Sequence, residues 1–257
     1  MICCIIQART GSIRLPKKVL EKIDSNLTVL DYVINQVKYS KKIEKIVVAT
    51  TNLIEDDLIC KYSNLQKIEC FRGSSEDVLD RFYHCAKKYS AKIIVRITAD
   101  NPLIDPNIID SIIKEYEKCD FITNTLERTF PYGTEVEVFS FSSLEKAWKI
   151  AKKPSEREHV TPFIRDSRNK FILKNFKNEK NISQLRYTID KKEDLQLVKE
   201  IIKNISIRPI LLQDIINLQK EKPKIFEINK NVKHEGYLLS LEKDQQYFKS
   251  NNNERSL

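Results

Sequence analysis

The apolar run Met1 to Ile6, followed at once by the cation-rich loop QARTGSIRLPKKVL, constrains this chain more than any other feature. MICCII is too short for a helix, and its Cys and Ile residues suit a buried strand. The chain then turns. Gly11 and Ser12 supply permissive backbone and a hydroxyl, Arg9 and Arg14 supply forked donors for phosphate oxygens, Lys17 and Lys18 supply point charges, and Pro16 stiffens the exit. In open α/β sheets ligands bind beyond the carboxyl ends of the strands, so a loop with four cations leaving a first strand reads as a polyphosphate site. A solvated basic loop is the alternative. Neither G-x-G-x-x-G nor the second glycine and Lys-Ser/Thr of a P-loop is present, which lowers the weight of dehydrogenase and NTPase readings.

Strands and helices then alternate. Helical spacing covers residues 29–39, 55–62, 76–89 (capped by Ser74 or Ser75), 107–116, 143–151, 155–167, 192–203 and 211–219. Apolar runs predict strands at 45–50, 68–71, 92–97, 120–123, 135–139, 171–176 and 185–188. This order predicts βαβ units and an α/β fold with a mainly parallel sheet. The expected organisation is one α/β domain over 1–204 and a helical extension with a polar, disordered tail over 205–257.

The chain has 257 residues, 41% hydrophobic and 32% charged, and only four glycines, so it reads as one soluble globular unit with little linker. Its net charge of +9 permits an anionic partner, but the lysines are spread along the chain, and no DNA- or RNA-binding motif accompanies them. No nucleic-acid or membrane partner is expected. No apolar run approaches the ~20 residues of a membrane span, and the opening lacks the charged region and length of a signal peptide, so the expected location is cytoplasmic. The six cysteines show no C-x-x-C pairing and read as reduced, buried thiols.

Two carboxylates fall at strand exits. Asp100 in RITADNPLIDP is placed to face the phosphate loop, where a magnesium ion is held by one or two carboxylates plus substrate phosphates. Asp105 reads as a helix cap. Asp190 in RYTIDKKEDL is a second such carboxylate, with a helix N-cap as its alternative role.

With these segments in view, the chain resembles the CTP-dependent cytidylyltransferases, most closely the SpsF-like branch. The loop matches an A-R-x-x-S-x-R-L-P-x-K-x-L pattern through Arg9, Ser12, Arg14, Leu15, Pro16, Lys18 and Leu20. FRGSSEDVLDRFY, RITADNPLIDP, PYGTEVEVFS, REHVTPFI and RYTIDKKEDL follow in the family's order. The likeness covers residues 2–204 well and GYLLSLEKD more loosely. Lys17 departs from it, standing where many relatives carry glycine. Relatives acting on acylneuraminate or 3-deoxy-manno-octulosonate share the loop and the aspartates.

The resemblance implies a three-layer, Rossmann-like nucleotide-diphospho-sugar transferase fold and transfer of CMP from CTP to an anionic sugar or phosphorylated acceptor, with release of pyrophosphate. Arg9, Arg14, Lys18 and Asp100 would be catalytic, with Gly11 and Ser12 on the nucleotide and Mg²⁺ or Mn²⁺ on Asp100 and Asp190. Arg72, Ser74, Asp80 and Arg81 would lie on the base side, although Asp80 and Arg81 also read as a surface ion pair. Asn124, Tyr132, Gly133, Glu135, Glu137, Arg157 and His159 are the acceptor-side candidates. Arg157 and His159 are paired there for an acceptor anion, while a structural histidine and an Arg157–Glu158 helix pair remain the plainer alternatives. His84 and His234 carry no assigned role. A homodimer is expected, with residues 131–164 as the candidate interface. A sugar-1-phosphate nucleotidyltransferase or glycosyltransferase of the same fold is the alternative, the latter weakened because A-D-N stands where D-x-D would.

Overall fold

The structure, a computed structural model, describes residues 1–12, 14–232 and 242–249. Its frame is a seven-stranded sheet: β1 (Ile2–Gln7), β2 (Lys45–Thr51), β3 (Glu69–Gly73), β4 (Ile93–Thr98), β5 (Phe121–Thr123), β6 (Glu137–Ser140) and β7 (Leu173–Asn175), in the order β3-β2-β1-β4-β6-β5-β7. The pairs β1–β2, β2–β3, β1–β4 and β5–β7 are parallel, and β6 runs antiparallel to both β4 and β5. The mainly parallel mixed sheet expected from the alternation is what forms.

Strand alternation builds two cores. In β1, Cys4 and Ile6 face one side and Cys3 and Ile5 the other; in β4, Val95 and Ile97 oppose Ile94. The first face is covered by helices α1 (Val29–Lys38), α4 (Pro106–Glu115), α8 (Lys192–Asn204) and α9 (Leu212–Glu221), with Ile59 of α2 (Asp57–Leu65). The second is covered by α3 (Val78–Lys88), α5 (Phe141–Ile150) and α7 (Pro162–Arg165), while α6 (Pro154–His159) packs beside α3. With both faces of the sheet covered, β1, β2 and β4 read as near-continuous apolar runs.

Three local expectations change. The helix expected over 155–167 is broken into α6 and α7, because Val160 adopts φ 71° and Pro162 cannot donate into a continuing helix. Residues 185–188 do not join the sheet as a strand; among them only a bridge from Arg186 to Tyr132 is made. The cap of α3 is Asp77, which accepts the Asp80 N–H at 2.9 Å, while the Ser74 hydroxyl accepts the Asp77 N–H at 3.0 Å.

Asp105 does cap α4, accepting the Asn107 N–H at 2.7 Å. Beyond residue 204, Ile205, Ile210, Leu212, Ile215 and Leu218 are buried in the same core as α1 and α4, so the extension and the sheet domain share packing. Residues 250–257, read from sequence as a disordered tail, and His234 lie outside the described residues. The six cysteines are free, with Cys3, Cys4 and Cys85 buried. No helix among the described residues is long and apolar enough to cross a membrane.

Candidate active site

Because β1, β2, β3 and β4 are parallel, their carboxyl ends share one edge, and the chain crosses from one side of β1 to the other between β3 and β4. The crevice at that switch point is where the loop after β1 sits. Its backbone is pinned from beneath. The Ala8 N–H donates to Ala49 O at 3.1 Å, and the Thr10 N–H and hydroxyl both donate to Asp56 Oδ1, at 2.8 and 2.6 Å. Asp56 Oδ2 takes the Thr51 hydroxyl at 2.5 Å. Burial alone would raise the Asp56 pKa, yet the Thr10 and Thr51 donors hold it below the usual carboxylate range.

The loop closes with the Ser12 and Lys17 N–H groups both on Thr10 O, at 2.8 and 2.9 Å. Lys17 lies in the left-handed region at φ 57° and ψ 17°, a conformation that glycine adopts without cost and lysine does not. Gly11, expected to supply permissive backbone, has no left-handed φ. A Cβ there would meet only Glu55 Oε1 at 3.7 Å, so its surroundings are open rather than tight.

Lys18 is the electrostatic centre. Only 7% exposed, its Nζ donates to Asp100 Oδ2 at 2.7 Å, Asp190 Oδ1 at 2.9 Å and Ile189 O at 2.7 Å. Arg14 Nη2 reaches the same Asp190 oxygen at 2.7 Å, and Arg186 Nη2 takes Asp190 Oδ2 at 2.9 Å. Burial favours neutral forms of both Lys18 and Asp190, but the opposite charges prevail. The Lys18 pKa is raised by Asp100 and Asp190, and that of Asp190 lies well below the ordinary carboxylate range through Lys18 and Arg14.

Asp190 does not cap α8. Fully buried Asp194 receives the backbone N–H groups of Asp190 and Lys191, both at 3.0 Å, and also grips Arg186 Nε at 2.9 Å. Asn229 donates to both Asp194 Oδ1 and Arg186 O, at 2.9 and 3.1 Å. The carboxylate is thus held by a buried network.

A cleft of about 520 Å³ opens from this centre. Arg9, Gly11, Ser12, Arg14, Lys18 and Asp100 line it, as the sequence predicts, together with His159. Burial and the nearby Arg96 depress the His159 pKa, so at neutral pH it offers an uncharged imidazole.

Glu158 of the REHVTP segment lines the cleft too, and so do residues that sequence reasoning missed: Gln7 at the end of β1, Arg96 and Thr98 on β4, and Glu242, Lys243 and Gln246 from a helix over residues 242–249. The signal for Arg96 was present, a cation inside the apolar run KIIVRI, where burial demands partners. It donates to Glu137 Oε2 at 2.7 Å and Gln7 Oε1 at 3.0 Å. Glu137 is therefore the residue that orients Arg96, with its other oxygen taking the Thr161 hydroxyl at 2.8 Å.

Other candidates face elsewhere. Arg72 spends its guanidinium on Thr51 O, Leu53 O and Asp57, outside the cleft. Asp80 accepts the Trp148 indole N–H at 2.8 Å and pairs with His84 rather than with Arg81. Arg157 binds Asp77 through Nε and Nη2 and donates to Trp148 O at 2.8 Å, tying α6 to the cap of α3 and to α5, and it does not line the cleft.

Asn124 bridges Thr134 O and the Val136 N–H, both backbone groups. The Tyr132 ring stacks under Arg128, 3.9 Å from its guanidinium carbon, and Glu135 engages Arg128, Asn101 and the Gly133 N–H. Gly133 is architectural: it has φ 102°, and a Cβ would lie 2.5 Å from the Thr188 nitrogen. Ser74 and Arg81 do not line the cleft and bond to each other, Arg81 Nη1 donating to Ser74 O at 2.8 Å. Arg81 is fully buried, its Nε and Nη2 have no partner among the described residues, and burial with the neighbouring Arg9 pushes its pKa down to about 10.

Among the described residues no group of three or more His, Cys, Asp or Glu side chains is arranged to hold a metal ion by itself. Asp100 engages Lys18 through Oδ2, and Asp190 meets the same ammonium. Asp100 and Asp190, two carboxylates converging on one cation position beside the loop after β1, are the residues that would hold a magnesium ion, with substrate phosphates and water as its other ligands.

A sequence description of the cytidylyltransferase family matches residues 3–232. The spore coat polysaccharide biosynthesis protein SpsF of Bacillus subtilis is 33% identical over 231 residues, covering 86% of this chain and 95% of that protein. The solved cytidylyltransferase of Leptospira borgpetersenii superposes with a TM-score of 0.85 at 35% identity, over 91% of this chain and 99% of that one. A CMP:2-keto-3-deoxy-manno-octonic acid synthetase solved with CTP shares the fold, with a TM-score of 0.60 at 16% identity over 79% of this chain and 98% of that one. Matched to the family in one continuous stretch over residues 3–232, the chain belongs to the cytidylyltransferase family.

Proposed function

We propose that this protein transfers CMP from CTP to an anionic acceptor, a sugar acid or a phosphorylated metabolite, releasing pyrophosphate for surface polysaccharide or glycoconjugate synthesis. The observation that carries the reading is Lys18 Nζ, held between Asp100 and Asp190 at the mouth of the loop after β1. Arg9, Arg14 and Lys18 bind the triphosphate and offset charge on the departing pyrophosphate. Arg96, fixed by Gln7 and Glu137, and neutral His159 line the acceptor side. Glu137 acts there through Arg96.

When Lys18 turns to a phosphate, Asp100 and Asp190 lose a neutralising charge beside a polyanion. A divalent cation restores that balance, which is the physical case for Mg²⁺ or Mn²⁺ on these two side chains. Bound there, the ion would neutralise charge on the phosphate oxygens. The SpsF likeness supports the biosynthetic context, and a cytoplasmic homodimer completes the reading.

The test is pyrophosphate release from CTP, ATP, GTP and UTP against a panel of sugar acids, sugar phosphates and phosphorylated metabolites, with and without Mg²⁺. CTP-selective turnover with an anionic acceptor is expected. Equal use of the other nucleotides would refute the cytidylyl assignment, and sedimentation as a monomer would remove the dimer.

A further inference from the structure

The helix over 242–249 lies beyond the residues matched by the family, which end at 232, and yet it walls the cleft with Glu242, Lys243 and Gln246. Two contacts seat it. Asp244, 9% exposed, accepts the Ser155 N–H at 2.9 Å and the Ser155 hydroxyl at 2.5 Å. Lys243 Nζ donates to Glu158 Oε2 at 3.1 Å, while Glu158 Oε1 faces Arg9 Nη2 of the phosphate loop at 3.7 Å.

One carboxylate therefore holds two cations side by side, one from each end of the chain. Burial would raise the Glu158 pKa, but Lys243, His159 and Arg9 keep it below its ordinary value, so the carboxylate stays charged near neutral pH. The side chains of Arg9 and Lys243 are 43% and 58% exposed, and so keep the freedom to turn to a ligand carrying more charge than one carboxylate.

We propose that Lys243, carried on the helix over 242–249 and held in place by Glu158, binds the nucleotide triphosphate together with Arg9, which makes this helix a working wall of the active site. The proposal rests on the reading of the cleft as a CTP site. Arg9 belongs to the phosphate loop, and the shared Glu158 places Lys243 on the same side of the cleft. Asp244 is the positioning residue that fixes the helix.

Isothermal titration of the full-length protein with CTP, and separately with inorganic tripolyphosphate, tests this. Lys243→Ala should weaken both ligands about tenfold and lower the salt dependence of binding, while Lys243→Arg retains most of the affinity. Asp244→Ala should reproduce the loss, and Lys249→Ala on the same helix should bind like the parent. Circular dichroism and the Lys243→Arg rescue separate loss of contact from loss of fold. Parental affinity in folded Lys243→Ala would overturn the proposal, as would a loss for CTP without one for tripolyphosphate. Failure of the parent protein to bind CTP would instead sink the proposed function.

Discussion

Asp190→Ala should damage stability as well as turnover, whereas Asp100→Ala should damage turnover alone. Asp190 is 6% exposed and receives three cations, Arg14, Lys18 and Arg186, of which the last two are each 7% exposed. Removing one partner of a buried ion pair costs about 3–5 kcal/mol, because the other charges remain buried. Here Lys18 keeps Asp100 and Ile189 O, and Arg186 keeps Asp194, so the expected loss is at the low end, about 3 kcal/mol. For a chain of this size that corresponds to a fall in Tm of roughly 6–12 °C. Asp100, with a quarter of its side chain exposed and one ion pair, should cost about 1 kcal/mol or less.

Urea denaturation and pyrophosphate-release kinetics, run on both variants, give the two readouts. The stability difference also depends on pH. The folded pKa of Asp190 is depressed, so its contribution is complete above the unfolded value of about 3.9 and declines as pH falls below it. The stability gap between parent and Asp190→Ala should therefore be full at pH 7 and shrink below about pH 4. Equal denaturation midpoints at pH 7, or a gap that widens in acid, would refute the buried-network account.

Lys17→Gly should stabilise the protein by about 0.5–1 kcal/mol, the left-handed strain relieved less the entropy of a freer unfolded chain, with kcat unchanged by kinetics and the gain read by denaturation. Arg157→Ala should cost about 1–3 kcal/mol through loss of the Asp77 and Trp148 ties, and leave the KM for CTP and the KM for acceptor within twofold in steady-state assays. Asp56→Ala should weaken CTP binding about tenfold by calorimetry, since Thr10 loses the acceptor that pins the phosphate loop; unaltered affinity would show that the loop holds its shape without it.

The carboxyl-edge site was legible where charge interrupts an apolar strand or follows it directly. Arg9 and Asp100 follow β1 and β4, Arg14 and Lys18 lie in the loop after β1, and Asp190 follows an apolar run that stays out of the sheet; the structure brings them together. Position along the chain, however, does not fix where a long side chain points. Arg72 and Arg157 sit in segments beside the site but find nearer acceptors in Leu53 O, Asp57, Asp77 and Trp148 O. Gly133 and Asn124 answer backbone demands, Gly133 a close approach of the Tyr187–Thr188 backbone and Asn124 the Thr134 carbonyl and the Val136 N–H. The break between α6 and α7 was written in HVTP, where two β-branched residues precede a proline.

The late residues were hard to read for a different reason: their partners are far away in sequence. Asn229 supports Arg186 and Asp194 across 43 and 35 residues, and Asp244 meets Ser155 across 89. Such contacts leave no local periodicity, since a lone Asn or Asp in a polar stretch looks the same whether it faces water or a buried arginine. What betrays them is the demand on the other side. Arg186 enters a buried position that no single carboxylate satisfies, and the Ser155 N–H, at the start of a helix whose first residue is proline, needs an acceptor from elsewhere. The loop after β1 is thus placed by the first third of the chain, whereas Asp190, one of the two carboxylates on Lys18, is held by residues from the last third. The charge balance of the cleft depends on both being folded together.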